Sequence, residues 1–211
     1  LVVVARRARD ARALTSDIRG VGSLAAITDS RVRELGPAKR AVEVISQRLL
    51  VVWPVFRGAD AEARTRVVTH ELTHAALAGV TSGRTPGWLV EGIALYVSDD
   101  RRTAEAAQAL QTAVPAARPS LARLGDPDSI ARTSGESQSR AYAYSSAAAH
   151  YIAERFGERG LLRFYEAFND ESIRGRPGEP RTTDRVARKT LGIPLRRLER
   201  DLRAWTLAGG A

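Results

Sequence analysis

The chain of 211 residues contains no cysteine and no methionine. The lack of cysteine excludes disulfide bonds, thiolate metal sites and a cysteine nucleophile. No apolar run approaches the ~20 residues that a membrane-spanning helix needs, so we expect no span in this chain. Because the sequence starts at Leu1 and has no methionine, we expect that a leader was removed or that the chain was trimmed.

Lysine is almost absent as well. Of the 33 cationic side chains, only Lys39 and Lys189 are lysines and the rest are arginines. The net charge is +9. A basic chain can bind nucleic acid or an anionic surface. Here the arginines are spread along the chain, and no aromatic residues interleave with them as a base-stacking surface would need. Arginine in place of lysine, with abundant alanine, is typical of GC-rich coding sequences, so we expect no nucleic-acid partner.

Hydrophobic periodicity predicts a single α+β domain. A small strand-containing lobe is expected over residues 1–57, and a mainly helical lobe over residues 58–211, with a cleft between them. Strands are predicted at residues 2–5, 24–28 and 49–53. The predicted helices cover residues 6–14, 59–78, 88–97, 103–114, 139–156, 161–168, 186–191 and 194–207.

The run HELTH at residues 70–74 is the first candidate site. His70 and His74 are four apart on a predicted helix, which places their Cβ atoms roughly 6 Å apart on one face. Two imidazoles can then converge on one ion, with Glu71 close enough to exchange a proton with metal-activated water. The flanking residues are apolar and predict a buried helix, in which unpaired polar groups would be costly.

Glu91 makes the metal interpretation more specific. Sixteen residues separate it from His74, and it is the only carboxylate in the apolar stretch PGWLVEGIALY at residues 86–96. A loop followed by this second helix can bring Glu91 back against the first helix. A third ligand of this kind leaves one coordination position for water, as catalytic zinc requires.

The stretches THELTH at 69–74 and WLVEGIALY at 88–96 resemble the gluzincin clan of metallopeptidases, and within it the bacterial "peptidase MA-like" group. The stretch AYAYSS at 141–146 resembles the Y-x-Q-S helix of that group, and the resemblance covers residues 48–168. It implies a zincin-like fold and a peptidase acting on a peptide or protein substrate. It also implies one Zn²⁺ per chain bound by His70, His74 and Glu91, with Glu71 as general base.

The same resemblance suggests a tyrosine that donates a hydrogen bond to the oxyanion of the reaction. Tyr142 is the first candidate and Tyr144 the alternative, because Tyr144 stands where the group has glutamine. The strand at residues 50–53 would be the edge that pairs with an extended substrate. Many gluzincins orient the first histidine with an aspartate at the position of Leu95, so here Asp99 or a backbone carbonyl is expected to do so.

Three functions remain open from the sequence: a zinc peptidase, a zinc-binding scaffold without turnover, and an arginine-rich binder of nucleic acid or an anionic surface. The first is favoured because His70, His74 and Glu91 form a complete ligand set. His150, the third histidine of the chain, is expected to be a polar core or surface residue. The resemblance and the absent start predict a secreted or extracytoplasmic protein, or one anchored to a membrane through a removed N-terminal segment.

Overall fold

The computed structural model describes residues 1–15, 24–34, 42–126, 129–130, 132–170, 175–176 and 178–210. A small mixed sheet at the N-terminus precedes a helical region, which confirms the predicted α+β class. The strands are β1 (Val2–Ala5), β2 (Ala26–Glu34) and β3 (Val42–Val52). The helices are α1 (Ala8–Leu14), α2 (Trp53–Phe56), α3 (Ala61–Leu77), α4 (Gly87–Val97), α5 (Thr103–Thr112), α6 (Gly135–Phe156), α7 (Glu158–Glu166), α8 (Pro180–Leu191) and α9 (Leu195–Leu207). None of these helices is both long and apolar enough to cross a membrane.

The sheet has the order β1-β3-β2, with β1 parallel and β2 antiparallel to the central strand. The prediction that residues 50–53 form an edge for substrate is therefore wrong, because β3 is paired on both sides. Trp53 is not in the strand at all: it begins α2, where Pro54 fits the first turn of a helix. Strand order depends on contacts between distant parts of the chain, and an apolar run does not reveal its neighbours.

Helices cover both faces of the sheet at the end of β3, residues 49–52. On one face Leu50 and Val52 pack with Ala5 of β1 and Ala11 of α1. On the other face Leu49, Val51 and Ala26 pack against Phe56 of α2 and Val67 of α3. Alternate residues of β3 therefore belong to separate small cores, as the two-residue period of a strand requires. This packing places α3 directly beside β2.

The main core lies among the helices and is centred on α4 and α6. The two helices approach closely at Gly92. A Cβ on that residue would lie 2.5 Å from the carbonyl oxygen of Ser145 and 3.3 Å from the Cβ of Ala149. Only glycine permits this separation, so Gly92 determines how deeply α4 sits against α6.

Several helices differ from the sequence prediction in extent or burial. α6 begins at Gly135 and α8 at Pro180, both earlier than expected. Pro180 occupies the first turn of α8, where its fixed φ favours a helix start. The expectation that the helix with the HELTH motif is buried is wrong: Thr73 is the only buried residue within α3, and Leu72 is 52% exposed. Apolar composition indicates a preference for burial but does not supply a covering element.

Replacement of Gly92 by alanine is expected to lower the free energy of unfolding by about 1–3 kcal/mol, because the added methyl group meets a backbone oxygen that cannot move aside. Urea unfolding followed by circular dichroism measures the difference. Gly58→Ala is the matched control, since its Cβ would meet only the Val55 oxygen at 3.4 Å. Equal unfolding midpoints for the two variants would contradict the tight α4–α6 contact.

Candidate metal centre

His70 and His74 lie one above the other on α3. The helix begins after Asp60, whose carboxylate accepts a 2.7 Å hydrogen bond from the Ala63 amide and so satisfies one of the unpaired donors at the N-terminus. The two imidazole rings are nearly perpendicular, with centroids 4.7 Å apart and an interplanar angle of 84°. Their Nε2 atoms are 3.1 Å apart. Both histidines therefore direct the same ring nitrogen toward one point.

Glu91 on α4 brings a carboxylate to that point. Its Oε2 lies 3.3 Å from Nε2 of His70 and 3.6 Å from Nε2 of His74. The three side chains are largely buried, with exposed fractions of 15% for His70, 20% for His74 and 23% for Glu91. Within the described residues, Glu91 Oε2 is buried and accepts no hydrogen bond of normal geometry. A buried carboxylate oxygen in this state is costly unless a cation or proton donor compensates it.

The spacing of the three atoms fits a bound metal ion. Ligands about 2.0–2.1 Å from a tetrahedral zinc lie about 3.3–3.4 Å from one another. The measured separations of 3.1, 3.3 and 3.6 Å bracket that value. His70, His74 and Glu91 are therefore a group that could hold a metal ion.

The electrostatics favour positive charge at the same point. Burial on its own would raise the pKa of Glu91, but the two imidazoles outweigh it and hold that pKa well below its usual range. For His74, burial on its own would lower the pKa, but the contact with Glu91 and the charges of Glu91 and Glu71 raise it. The carboxylate is thus ionised, which is the form that binds a metal.

Glu71 follows His70 and is fixed by the sheet. Its Oε2 accepts a 2.6 Å hydrogen bond from the backbone N–H of Thr28, and its carbonyl oxygen accepts a 2.7 Å hydrogen bond from the Thr28 hydroxyl. Thr28 is opposite Leu49, and the Leu49 amide donates to the carbonyl oxygen of Leu1, the residue before β1. The backbone groups of Thr28 therefore point away from β3, toward the outer edge of β2, beside which no strand lies among the described residues. Sequence reasoning missed Thr28, because a backbone donor carries no residue-type signal.

The two candidate tyrosines lie in different environments on α6. The charge of Glu91, together with burial and the charge of Glu71, raises the pKa of Tyr142, so this phenol remains a hydrogen-bond donor at neutral pH. Tyr144 is completely buried, and its hydroxyl oxygen accepts a 3.4 Å hydrogen bond from Nε of Arg203 on α9. The geometry thus brings Tyr142 to the metal-binding group and excludes Tyr144, the alternative drawn from the sequence.

A cleft of about 410 Å³ opens beside the metal-binding group, between the start of β2 and the helices. His70, Glu71 and Tyr142 line it, together with Asp100 and Arg102 from the segment that joins α4 to α5. Asp99, the expected partner of a histidine, does not line this cleft and faces other grooves instead. Among the described residues, Nδ1 of His70 and Nδ1 of His74 have no hydrogen-bond partner.

His150 lies away from the metal-binding group, as expected from the sequence. It is buried on α6, its Nδ1 lies 2.9 Å from the carbonyl oxygen of Ser146, and its ring contacts Tyr96 edge to face. Burial lowers the pKa of His150, so the ring is neutral at pH 7. This histidine serves as an internal comparison for the two candidate ligands.

Comparison with protein-family models, with curated proteins and with solved structures gave no match to this chain.

Addition of a divalent transition metal is expected to raise the thermal unfolding temperature of the wild-type protein, because an ion that binds only the folded state stabilises it by about 2.7 kcal/mol at a hundredfold excess over Kd. His74→Ala removes one of three ligands and should abolish the shift. Differential scanning calorimetry with and without metal measures it.

His150→Asn is the control, because it replaces the remaining histidine and retains a donor near the position of Nδ1. Its metal-induced shift should equal that of the wild type. A shift that persists in His74→Ala, or one that disappears in His150→Asn, would place the metal elsewhere.

Proposed function

We propose that this chain is a zinc-dependent peptidase that hydrolyses peptide bonds with Glu71 as general base. The observation that carries the proposal is the tetrahedral spacing of the Nε2 atoms of His70 and His74 and Oε2 of Glu91, beside an open cleft lined by Glu71. Two imidazoles and one carboxylate form a ligand set of catalytic zinc, which keeps a further position for water or substrate. The described residues fit that ion.

Zinc at this position supplies Lewis acidity, which lowers the pKa of water and polarises the carbonyl group to be attacked. Glu71 takes the proton of the attacking water on its carboxylate. After the tetrahedral intermediate forms, Glu71 passes that proton to the amide nitrogen as the C–N bond breaks. Thr28 supports this role, because its N–H fixes Oε2 and leaves Oε1 to exchange the proton.

Tyr142 donates a hydrogen bond to the substrate carbonyl oxygen as negative charge develops on it. Its position supports this assignment, because Tyr142 lines the same cleft as His70 and Glu71. The donor lies on α6, whereas the metal-binding group lies on α3 and α4, so the reacting carbonyl would lie between the two.

The substrate is proposed to bind as an extended peptide along the outer edge of β2, where the described residues place no further strand. Ala26 lies on this edge and lines the cleft, whereas the N–H of Thr28 is already bonded to Glu71. The unpaired backbone groups of an edge strand can pair with a peptide regardless of its side chains. β2 therefore takes the role that the sequence had assigned to the strand at residues 50–53.

A zinc-binding scaffold without turnover is the second candidate. The observation that favours it is that no described protein group accepts from Nδ1 of His70 or of His74, since metal-binding histidines almost always donate that N–H to a carboxylate, a backbone carbonyl or water. In other metalloproteins, mutation of such a partner typically lowers metal affinity or activity by about 10–100-fold. The two candidates differ in turnover and agree in zinc binding.

Replacement of Glu71 by glutamine is expected to lower kcat/KM by about 10²–10⁴-fold, the usual contribution of a general base. Glutamine retains an oxygen that accepts the Thr28 N–H, so zinc content should remain one per chain. The assay uses zinc-loaded protein and a mixture of internally quenched fluorogenic peptides that covers all residue types.

Glu62→Gln is the matched control, because Glu62 is on the same helix, is 82% exposed and pairs only with Arg66. Its turnover should equal that of the wild type. Unchanged hydrolysis in Glu71→Gln would refute the general base. A fully zinc-loaded wild type that cleaves no peptide of the mixture would decide for the scaffold.

Tyr142→Phe is expected to lower kcat by about 10²-fold through the loss of an oxyanion donor. Tyr144→Phe should leave kcat unchanged and lower the free energy of unfolding by about 1 kcal/mol, because it loses only the hydrogen bond with Arg203. Steady-state kinetics and urea unfolding on both variants measure the contrast. A larger loss of kcat in Tyr144→Phe would reverse the assignment of the two tyrosines.

A further inference from the structure

Arg102 lies in the same cleft as the proposed catalytic groups and has no role in the mechanism above. It precedes α5 and lines the cleft together with His70, Glu71 and Tyr142. Its positive charge acts on Tyr142: the pKa of that phenol is raised by Glu91, burial and Glu71, and Arg102 opposes this increase. The guanidinium is therefore near the phenol that faces the metal-binding group.

Arg102 is held in place by contacts to both its side chain and its backbone. Nε donates a 3.1 Å hydrogen bond to Asp100 Oδ1, and Nη2 donates a 2.5 Å hydrogen bond to Oδ2 of the same carboxylate. The backbone N–H of Arg102 donates to Oγ of Ser146, and that hydroxyl donates to the carbonyl oxygen of Asp100. A two-pronged pair of this kind fixes the plane of the guanidinium.

The turn before Arg102 has an unusual backbone conformation. Asp99 has a φ of +55° and is the single non-glycine residue with positive φ among the residues that the structure describes. This conformation costs free energy in a residue with a side chain. It reverses the chain after α4, so that Asp100 and Arg102 line the cleft and also a groove between α5 and α6, while Asp99 lines neither.

The guanidinium retains donors for a ligand. Arginine has five N–H donors, and Asp100 accepts from two nitrogens. The third nitrogen, Nη1, donates to no group in the described part of the chain. A fixed cation with an unused donor, beside a protonated phenol, forms a site for an oxygen atom that carries negative charge.

The surrounding charges favour a carbonyl oxygen over a carboxylate as the ligand. Asp100 neutralises Arg102, and the cleft also contains the carboxylate of Glu71. A permanently charged group of the substrate would therefore meet as much repulsion as attraction. A carbonyl oxygen is neutral when it binds and becomes charged only as the reaction proceeds, so it gains from the donors in the transition state.

We propose that Arg102, oriented by Asp100, is a second donor beside Tyr142 to the substrate carbonyl oxygen as that oxygen becomes an oxyanion. This inference rests on the proposed peptidase function for its chemistry. It assigns Arg102 to transition-state stabilisation and Asp100 to the positioning of Arg102. Neither residue lies in the three sequence stretches on which the resemblance rests, residues 69–74, 88–96 and 141–146.

Two zinc-directed probes test the proposal without turnover. An N-phosphoryl dipeptide has tetrahedral oxygens that imitate the oxyanion, whereas acetohydroxamic acid binds zinc without them. Arg102→Gln is expected to weaken the phosphoryl dipeptide about 10²-fold, the lower end of the range for loss of one oxyanion donor, and to leave acetohydroxamic acid unchanged. Isothermal titration calorimetry on zinc-loaded protein measures both affinities.

Arg188→Gln is the matched control, because it removes the same charge from an exposed arginine on α8 that pairs with Asp184. It should bind both probes as the wild type does. Arg102→Lys keeps the charge but loses the planar fork, and it should give an intermediate affinity for the phosphoryl dipeptide. If Arg102→Gln does not fold, Arg102→Lys carries the test, and wild-type affinity in that variant would overturn the proposal.

Kinetics supply the second readout. Arg102→Gln should lower kcat and leave KM nearly unchanged, because a transition-state contact is absent from the bound substrate. Three binding results would overturn the proposal: Arg102→Gln and wild type bind the phosphoryl dipeptide with equal affinity, Arg102→Gln loses affinity equally for both probes, or wild type does not bind the phosphoryl dipeptide. In the kinetics, a change of KM alone in Arg102→Gln would also overturn it. If wild type binds the phosphoryl dipeptide in an Arg102-dependent way but cleaves no peptide, the peptidase function fails while the oxyanion site stands.

Discussion

The close packing of α4 against α6 at Gly92 determines where the third ligand lies. His70 and His74 converge because they are one turn apart on a single helix, but Glu91 reaches them only if α4 is held at the correct depth. The hydrogen of Gly92 leaves room for the carbonyl oxygen of Ser145, where a methyl group would not fit. The geometry of the metal-binding group therefore depends on the absence of a side chain next to the ligand.

The sheet makes a separate contribution, through Glu71 rather than through the metal ligands. Thr28 bonds to both the carboxylate and the carbonyl oxygen of Glu71, so one residue of β2 fixes the proposed base and also ties the strand to α3. β2 is in turn fixed by its antiparallel pairing with β3, whose last four residues, 49–52, are apolar and buried against helices on both faces. A small sheet of this kind is sufficient to orient the proposed general base.

The local parts of the site could be predicted from the sequence, and the non-local parts could not. The spacing of His70 and His74 is a property of one helix, and a single carboxylate in an apolar helix identified Glu91. The neighbours of β3 and the exposure of α3 depend on what packs there, so both predictions were wrong. Tyr142 and Tyr144 are two apart, about 200° around a helix, so only one can face the site, and the sequence does not say which.

One turn of α6 connects the metal-binding group to the proposed oxyanion site. The carbonyl oxygen of Ser145 packs against Gly92, and Tyr142 lines the cleft. The hydroxyl of Ser146 bonds to the backbone of Asp100 and of Arg102. The ligands themselves lie on α3 and α4. The candidate metal ligands and the proposed donor Tyr142 therefore lie on different helices, and α4 meets α6 at Gly92. A change in α6 away from that contact is expected to affect the proposed donor and to leave His70, His74 and Glu91 in place.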